Sequence, residues 1–177
     1  MTTRIDTDTH ALGWWQRLWY SGPALDDLYM EHAVQRQIDT NAPVRSTVEI
    51  IIDAPPARVW AVLSDPEHWH LVDPRISHVH LDSGVAIGST FTWRNGFARL
   101  RSRFAVVAPN SELTWTGRAM GANVVHRHVL EDLGDSRTRL TAIESMAGPL
   151  LILLYSSAKL HKNLEQWLAA ISAAATS

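Results

Sequence analysis

Two stretches in the second half of the chain alternate apolar and polar residues, with the period of two expected of strands that cover one face. Residues 123–132 read NVVHRHVLED and residues 137–146 read RTRLTAIESM. The step Gly134-Asp135 between them is a turn signal. The pattern therefore predicts an antiparallel hairpin, and the other predicted elements are built out from it.

The apolar residues of this hairpin set its register. Facing Leu130 with Leu140 places His126 opposite Glu144 on the apolar face. A shift by one residue would place arginine side chains on the apolar face, so the register is strongly specified. The same register pairs Val124 with Met146, His128 with Ala142 and, on the polar face, Glu131 with Arg139. We therefore expect an imidazole and a carboxylate to meet on an otherwise apolar face.

Shorter runs predict the remaining strands of a sheet of about seven. Residues 44–53 form the first strand, residues 75–82 the second, and residues 89–94 and 97–108 a hairpin around Asn95-Gly96. Keeping the apolar residues together pairs Trp93 with Ala98 and Phe91 with Leu100, and then sets Leu113, Trp115 and Gly117 against Val106, Phe104 and Ser102.

Helical patterns lie on either side of this run of strands. Pro55-Pro56 opens one short helix, and Asp65-Pro66 opens a second that carries Trp69 and His70. From Leu150 to Ala174 the apolar residues recur at helical spacings, which predicts one long amphipathic helix. We infer an α+β fold in which a curved antiparallel sheet encloses the long helix, with a cavity between them.

Residues 1–43 are predicted to form a helical arm and linker, and residues 44–177 the main domain. Trp14, Trp15, Leu18 and Trp19 cluster within about one helical turn, and Gly22-Pro23 ends that helix. An arm packed on the domain is the favoured interpretation; a lid or a homodimer contact is the alternative. A lipid-surface role is disfavoured because Asp26, Asp27 and Glu31 oppose a basic face.

The charge and composition of the chain exclude several classes of function. The formal net charge of −2 comes with scattered arginines and no basic stripe, which argues against nucleic acid as a partner. The absence of cysteine excludes disulfides, thiolate chemistry and cysteine zinc sites. The N-terminal residues lack a signal-peptide pattern, and the longest apolar run is too short to span a bilayer. We expect a cytoplasmic location and no cofactor.

Four stretches resemble the START/Bet v 1-like superfamily, in its polyketide cyclase/dehydrase and lipid-transport branch. The first is IIDAPPARVWAVLSDPEHWH, followed by GSTFTWRNG, LTWTGRAMGANVVHRH and TRLTAIESMAGPL. The resemblance covers roughly residues 44 to 173 and implies a helix-grip fold with a deep apolar cavity. It implies little about chemistry, because the superfamily includes cyclases, aromatases, dehydratases, lipid carriers and hormone receptors.

His126 and Glu144 are the candidate catalytic residues. A carboxylate hydrogen-bonded to an imidazole can orient the ring and tune it for acid-base work on a keto chain or a β-hydroxyl. The alternative is a buried pair that only fixes strand register. With His128 the two residues also match a two-histidine, one-carboxylate metal site, which we disfavour.

The predicted ligand contacts lie on the apolar face of the sheet, in the short-helix region or on the long helix. They are Phe91, Trp93, Ser102, Phe104, Trp115, His128, Trp69, His70, Leu153 and Ser157. The leading functional hypothesis is a cofactor-independent cyclase, aromatase or dehydratase that acts on a hydrophobic small molecule. The alternatives are a non-catalytic carrier or sensor of such a molecule, and an interaction protein that uses the tryptophan-rich arm.

Overall fold

A computed structural model describes residues 13–177 of the chain, so the first twelve residues of the predicted arm lie outside the described part. The elements in chain order are α1 (Trp14–Trp19), α2 (Leu25–Asp27, continuing as a π-helical segment over Leu28–Ala33), β1 (Val44–Ile52), α3 (Pro56–Leu63), a 3-10 turn (Pro66–His68), α4 (Trp69–Val72), β2 (Ile76–Leu81), β3 (Thr90–Asn95), β4 (Ala98–Ala108), β5 (Glu112–Ala119), β6 (Ala122–Gly134), β7 (Arg137–Ala147), α5 (Leu151–Leu154) and α6 (Ser157–Thr176).

One curved antiparallel sheet contains all seven strands, in the order β1-β7-β6-β5-β4-β3-β2. The predicted register of the β6–β7 hairpin is confirmed, including the pairing of His126 with Glu144 and of Glu131 with Arg139. The sheet curves around α6, so the chain has the predicted α+β helix-grip fold. No helix among residues 13–177 is long and apolar enough to cross a bilayer.

The predicted register of the β3–β4 hairpin is wrong by two residues. Trp93 pairs with Leu100 and Phe91 with Ser102, because Asn95 and Ala98 close the turn and Gly96 takes its first central position with φ +58°. That position of a two-residue hairpin turn favours glycine. A two-residue shift keeps every side chain on its predicted face, so the apolar face survives the error.

Two other predictions need correction. A bulge between Phe104 and Val106 moves Leu113 opposite Val107, whereas Phe104 still pairs with Trp115. The single helix predicted from Leu150 is two helices, because Tyr155 and Ser156 are extended between α5 and α6. The Ser156 side chain accepts a hydrogen bond from the backbone N–H of Lys159 and so caps the start of α6.

The space between the sheet and α6 is occupied by large rings. Trp69 reaches into it from α4 and is 1 % exposed. Its ring centroid lies 5.6 to 6.1 Å from those of four other rings, which belong to Phe91, Trp93, Trp115 and Trp167. Such spacings are typical of aromatic pairs in well-packed interiors. The core is therefore an aromatic cluster with Trp69 in contact with most of its members.

The arm packs on the convex outer face of the sheet. Leu28, Tyr29 and Ala33 form a small second core with Ala105 and Val125 of the strands beneath. The Tyr29 hydroxyl also donates to a strand carbonyl, 3.2 Å away. The described arm residues therefore cover the outer sheet face, away from α6. The division into an arm of residues 1–43 and a domain of residues 44–177 stays a prediction.

Candidate functional site

His126 and Glu144 meet on neighbouring strands at the inner face of the sheet. Their side chains are 8 % and 13 % exposed, and Nδ1 of His126 is hydrogen-bonded to Oε2 of Glu144. Removing both groups from water is unfavourable unless they are paired, and a charge-assisted hydrogen bond is among the stronger forms of pairing. The pair is thus buried and oriented, with the carboxylate as its more exposed member.

An aromatic ring fixes the plane of the His126 imidazole. Trp115, its cross-strand neighbour on β5, stacks against it at 4.5 Å between ring centroids and 11° between planes. A tryptophan face attracts a positively charged ring. Stacking on one side and a carboxylate at one edge leave His126 little rotational freedom, as a proton-transfer group requires.

The hydrogen bonds of His128 assign its tautomer. The indole Nε1–H of Trp167, on α6, donates to Nε2 of His128 at 2.9 Å, so that nitrogen is the acceptor and Nδ1 carries the proton. Nδ1 of His128 is buried and has no hydrogen-bond partner among the described residues. A buried N–H without an acceptor costs about 1–3 kcal/mol. His128 therefore offers an unused donor inside the protein.

The second ring nitrogen of His126 faces His128. Nε2 of His126 lies 3.2 Å from Nε2 of His128. Each ring nitrogen of His126 therefore contacts a polar side chain, Glu144 at Nδ1 and His128 at Nε2.

Replacing Trp167 by phenylalanine tests this assignment. In the wild-type protein, imidazole nitrogen-15 spectra should show a neutral His128 ring protonated on Nδ1. In Trp167→Phe the indole donor is lost, so we expect the Nε2–H tautomer to gain population and the stability to fall by about 1 kcal/mol. Trp93→Phe is the matched control, since the Trp93 indole donates to Ser102 at 3.1 Å instead. A wild-type His128 ring protonated on Nε2 would contradict the assignment.

Full burial, helped by the positive charge of His126, holds the pKa of His128 well below its ordinary value of 6.5. As the pH falls, His128 is protonated in the unfolded chain before it is protonated in the folded protein. The contribution of neutral His128 to the free energy of unfolding is therefore present above pH 6.5 and is lost as the pH falls below that value. The loss approaches about 1.4 kcal/mol per pH unit. Urea unfolding of wild-type and His128→Leu protein between pH 7 and pH 5 measures it. Equal pH dependence in both would count against the depressed pKa.

The pKa of Tyr155 responds to two charged side chains, Glu144 and Arg75. The Tyr155 hydroxyl, in the break between α5 and α6, accepts from Nδ2 of Asn163 at 2.5 Å. Burial raises the pKa of Tyr155; the charge of Glu144 adds to the shift, and that of Arg75 opposes it. Both charges are therefore near this hydroxyl. Arg75 is held in turn by a bidentate contact with Asp73, which includes a 2.7 Å hydrogen bond.

The predicted ligand contacts divide into two groups. Seven of them line or fill the interior beside the pair: Trp69, Phe91, Trp93, Ser102, Phe104, Trp115 and His128 are all buried. The other three lie elsewhere. His70 is exposed, with Nδ1 on the carbonyl of Glu67, Leu153 is 62 % exposed on α5, and Ser157 accepts from the backbone of Arg45. The error for the last two follows from taking α5 and α6 as one helix.

The two cavities that stand out in the described part are not the predicted interior cavity. One of about 350 Å³ lies between the short helices and the end of α6, where Arg58, Asp65 and His68 contribute to its wall. The other, of about 200 Å³, lies beside Arg94 and Arg99. Neither is lined by His126 or Glu144. Aromatic rings fill the space where a cavity was expected, so ligand entry there requires these rings to move.

The disfavoured metal site does not form. Glu144 binds one nitrogen of the His126 ring, whereas His128 faces the other nitrogen across 3.2 Å. The three donor atoms therefore do not converge on one point. Within residues 13–177, no group of three or more histidine, aspartate or glutamate side chains is placed to hold a metal ion.

Trp167, Asn163 and Arg75, which contact His128, Tyr155 and Asp73, were not predicted from the sequence as candidate site residues. Trp167 lies on the apolar stripe of the predicted helix, and its indole N–H, which a buried tryptophan usually satisfies, was the available signal. The positions of Tyr155 and Arg75 depend on the helix break and on the loop before β2. Neither feature is apparent from spacing alone.

A curved sheet wrapped on a long helix, with a histidine-glutamate pair set into an aromatic interior, defines a helix-grip protein of the kind that binds hydrophobic ligands. Residues 43–154 match the family described as polyketide cyclase/dehydrase and lipid transport. The match spans more than half of the chain, and the protein belongs to this family. No curated protein sequence matches it.

Solved structures share the fold at low sequence identity. A hypothetical protein from Helicobacter pylori is similar with 21 % identity and a TM-score of 0.68, over 78 % of this chain and 92 % of that one. The Zhui aromatase/cyclase from Streptomyces sp. R1128 is 15 % identical with a TM-score of 0.63, over 75 % and 93 %. A START superfamily protein from Mycobacterium smegmatis is 14 % identical with a TM-score of 0.64, over 73 % and 94 %. At these identities the likeness concerns the fold.

Proposed function

We propose that this protein is a cofactor-independent enzyme that removes water from, and thereby helps to cyclise or aromatise, a hydrophobic β-hydroxy carbonyl compound. The observation that carries the proposal is the buried, direct hydrogen bond between His126 and Glu144, beside the stacked ring of Trp115. Such a site contains an acid and a base at once. Family membership and the fold shared with an aromatase/cyclase support the same substrate class.

The elimination divides the work between the two groups. The Glu144 carboxylate takes the proton from the carbon next to the carbonyl, and the electrons of that C–H bond form the new C=C bond. The C–O bond to the β-hydroxyl breaks, and the His126 imidazolium supplies the proton that lets the oxygen leave as water. Glu144 then holds one proton too many and His126 one too few. Glu144 then releases its extra proton to water and His126 takes one up from water, which restores the resting pair.

Surrounding side chains suit a planar ligand. The indole faces of Trp93 and Trp115 can stack on a conjugated product, and the unused Nδ1–H of His128 can bind a carbonyl oxygen. The Tyr155 hydroxyl can bind a second ligand oxygen. Turnover of an aryl β-hydroxy ketone tests the proposal, because loss of water gives a conjugated enone with a new ultraviolet absorbance. No rate above the buffer reaction, over a panel of such ketones, would count against it.

Carriage or sensing of a hydrophobic molecule without chemistry is the second candidate. The filled aromatic interior favours it, since a carrier needs only enclosure by rings that can separate around its cargo. Native mass spectrometry of the purified protein distinguishes the two functions. An intact lipid or isoprenoid that co-purifies and survives prolonged incubation would favour carriage, whereas a dehydrated product would favour the enzyme.

A further inference from the structure

Exposed large apolar residues gather at one end of the sheet. In an antiparallel meander, the β3–β4 turn, the β5–β6 turn and the end of β7 all lie at the same end. Phe97 in the first turn is 92 % exposed and Met120 in the second is 73 % exposed. Leu153 and Leu154 follow β7 on α5 and are also exposed. Apolar side chains thus project from three neighbouring points of this end.

Helix α1 adds two tryptophans to the same end. The backbone N–H of Leu150, just before α5, donates to the carbonyl of Leu18 at 2.7 Å, which ties α1 to α5. Trp15 and Trp19 remain exposed on α1. We call Trp15, Trp19, Phe97, Met120, Leu153 and Leu154 the apolar rim. Several large apolar side chains exposed at one end of a fold are typical of a binding face.

Four arginines stand directly behind the rim on the outer face of the sheet. Arg94 pairs across the strands with Arg99, and Arg101 pairs with Arg118. All four are exposed, and none forms an ion pair with an acidic side chain within residues 13–177. Like charges directly opposite each other destabilise a sheet. This group, the arginine collar, therefore carries a positive charge that the described part of the fold leaves unbalanced.

A small cavity on the collar has the size and charge for a phosphate group. It measures about 200 Å³, and Arg94, Arg99 and His78 contribute to its wall. His78 takes a positive φ of 52° where β2 is bulged against β3, and the bulge aims its side chain out of the regular alternation. Two guanidinium groups and an imidazole at one cavity are suited to an anionic oxygen group.

We propose that this end of the sheet docks on a lipid bilayer that contains anionic headgroups. Tryptophans and leucines enter the interfacial region of a bilayer, and arginines beside them bind the phosphates. A second copy of the chain fits less well, because a two-fold contact through this face would bring the same arginines toward each other. The proposal goes beyond the proposed function and requires no acid-base chemistry.

Two of the three acidic residues that argued against a lipid surface, Asp26 and Asp27, lie on α2, and Glu31 lies on the π-helical segment that follows. Asp26 and Asp27 belong to a helix that contacts β5, but neither forms an ion pair with Arg118. The three carboxylates offset only part of the positive charge of the four collar arginines.

Vesicle flotation with the full chain tests the docking. We expect binding to mixed phosphatidylcholine and phosphatidylglycerol vesicles at low ionic strength, little binding to phosphatidylcholine alone, and weakening as salt is added. Arg99→Gln with Arg118→Gln should weaken binding more than tenfold, from roughly fivefold per arginine. Phe97→Ser with Leu154→Ser should weaken vesicle binding both at low ionic strength and after salt is added, because salt does not screen the apolar contribution to binding.

Matched controls lie at the opposite end of the sheet. Ile87 and Arg137 are exposed there, so Ile87→Ser and Arg137→Gln should leave vesicle binding unchanged. Absence of binding to anionic vesicles at low salt would overturn the proposal. So would equal losses in the control variants, stabilisation by inorganic phosphate without vesicle binding, or a dimer in sedimentation that the Phe97→Ser, Leu154→Ser variant abolishes.

Discussion

Glu144→Gln should lower the turnover of an aryl β-hydroxy ketone by about 100- to 10,000-fold, the range that one positioned proton-transfer group contributes. The amide keeps the size of the carboxylate, and its oxygen still accepts from Nδ1 of His126. It cannot take a proton from carbon. The geometry survives and the base is lost, so the fall should appear in kcat more than in KM.

A control on the neighbouring strand separates this effect from a general loss of charge. Glu49 on β1 is exposed, so Glu49→Gln removes a carboxylate from the adjacent strand without touching the pair. We expect wild-type turnover from it. His126→Ala should match Glu144→Gln within an order of magnitude, because the two groups act on one substrate. Unchanged turnover in Glu144→Gln with an intact fold would remove the carboxylate from the mechanism.

Trp69→Ala should destabilise the protein by about 3–5 kcal/mol, as expected when a large buried ring is removed from a packed core. Trp69 is 1 % exposed and contacts four other rings. Its indole also donates to the carbonyl of Leu63 at 3.2 Å, and that contact ties α4 to α3. Urea unfolding measures the loss. Trp15→Ala is the control, since Trp15 is exposed and should cost under about 0.5 kcal/mol.

The space left by Trp69 should accept an aromatic ligand. We expect added indole to raise the unfolding midpoint of Trp69→Ala and to leave that of the wild-type protein nearly unchanged, because a ligand stabilises only the state that binds it. Trp69→Phe should show a smaller loss and a weaker indole effect. If Trp69→Ala lost less than about 1 kcal/mol of stability and its unfolding midpoint did not rise with added indole, Trp69 would not be the residue that fills the interior.

Local sequence determined much of the fold. The β6–β7 register is correct because alternation, a glycine turn and an opposed charge pair all favour one solution. In the β3–β4 hairpin the apolar pattern admits two registers that differ by two residues, and only the backbone of Gly96 distinguishes them. The break before α6 was missed because Tyr155 and Ser156 fit a helical pattern in isolation.

Part of the site could be predicted because it depends on the same local patterns that set the strand register. The pairing of His126 with Glu144 depends on two adjacent strands, whereas the bond from Trp167 to His128 joins residues 39 positions apart and depends on how α6 lies on the sheet. The position of Trp69 inside the aromatic cluster depends on two short helices after β1. The interior volume therefore depends on tertiary packing. The cavity was inferred from the curvature of the sheet alone, and that inference did not account for the Trp69 ring, which α4 places in the interior.

We expect a bound apolar ligand to touch His126 inside the aromatic cluster. Imidazole nitrogen-15 spectra of the full chain, recorded during titration with an aromatic ketone, detect this contact. His126 and His128 should shift together, and Glu144→Gln should alter the response. Shifts confined to His68, at the cavity of about 350 Å³ between the short helices and α6, would instead place the ligand outside the aromatic cluster.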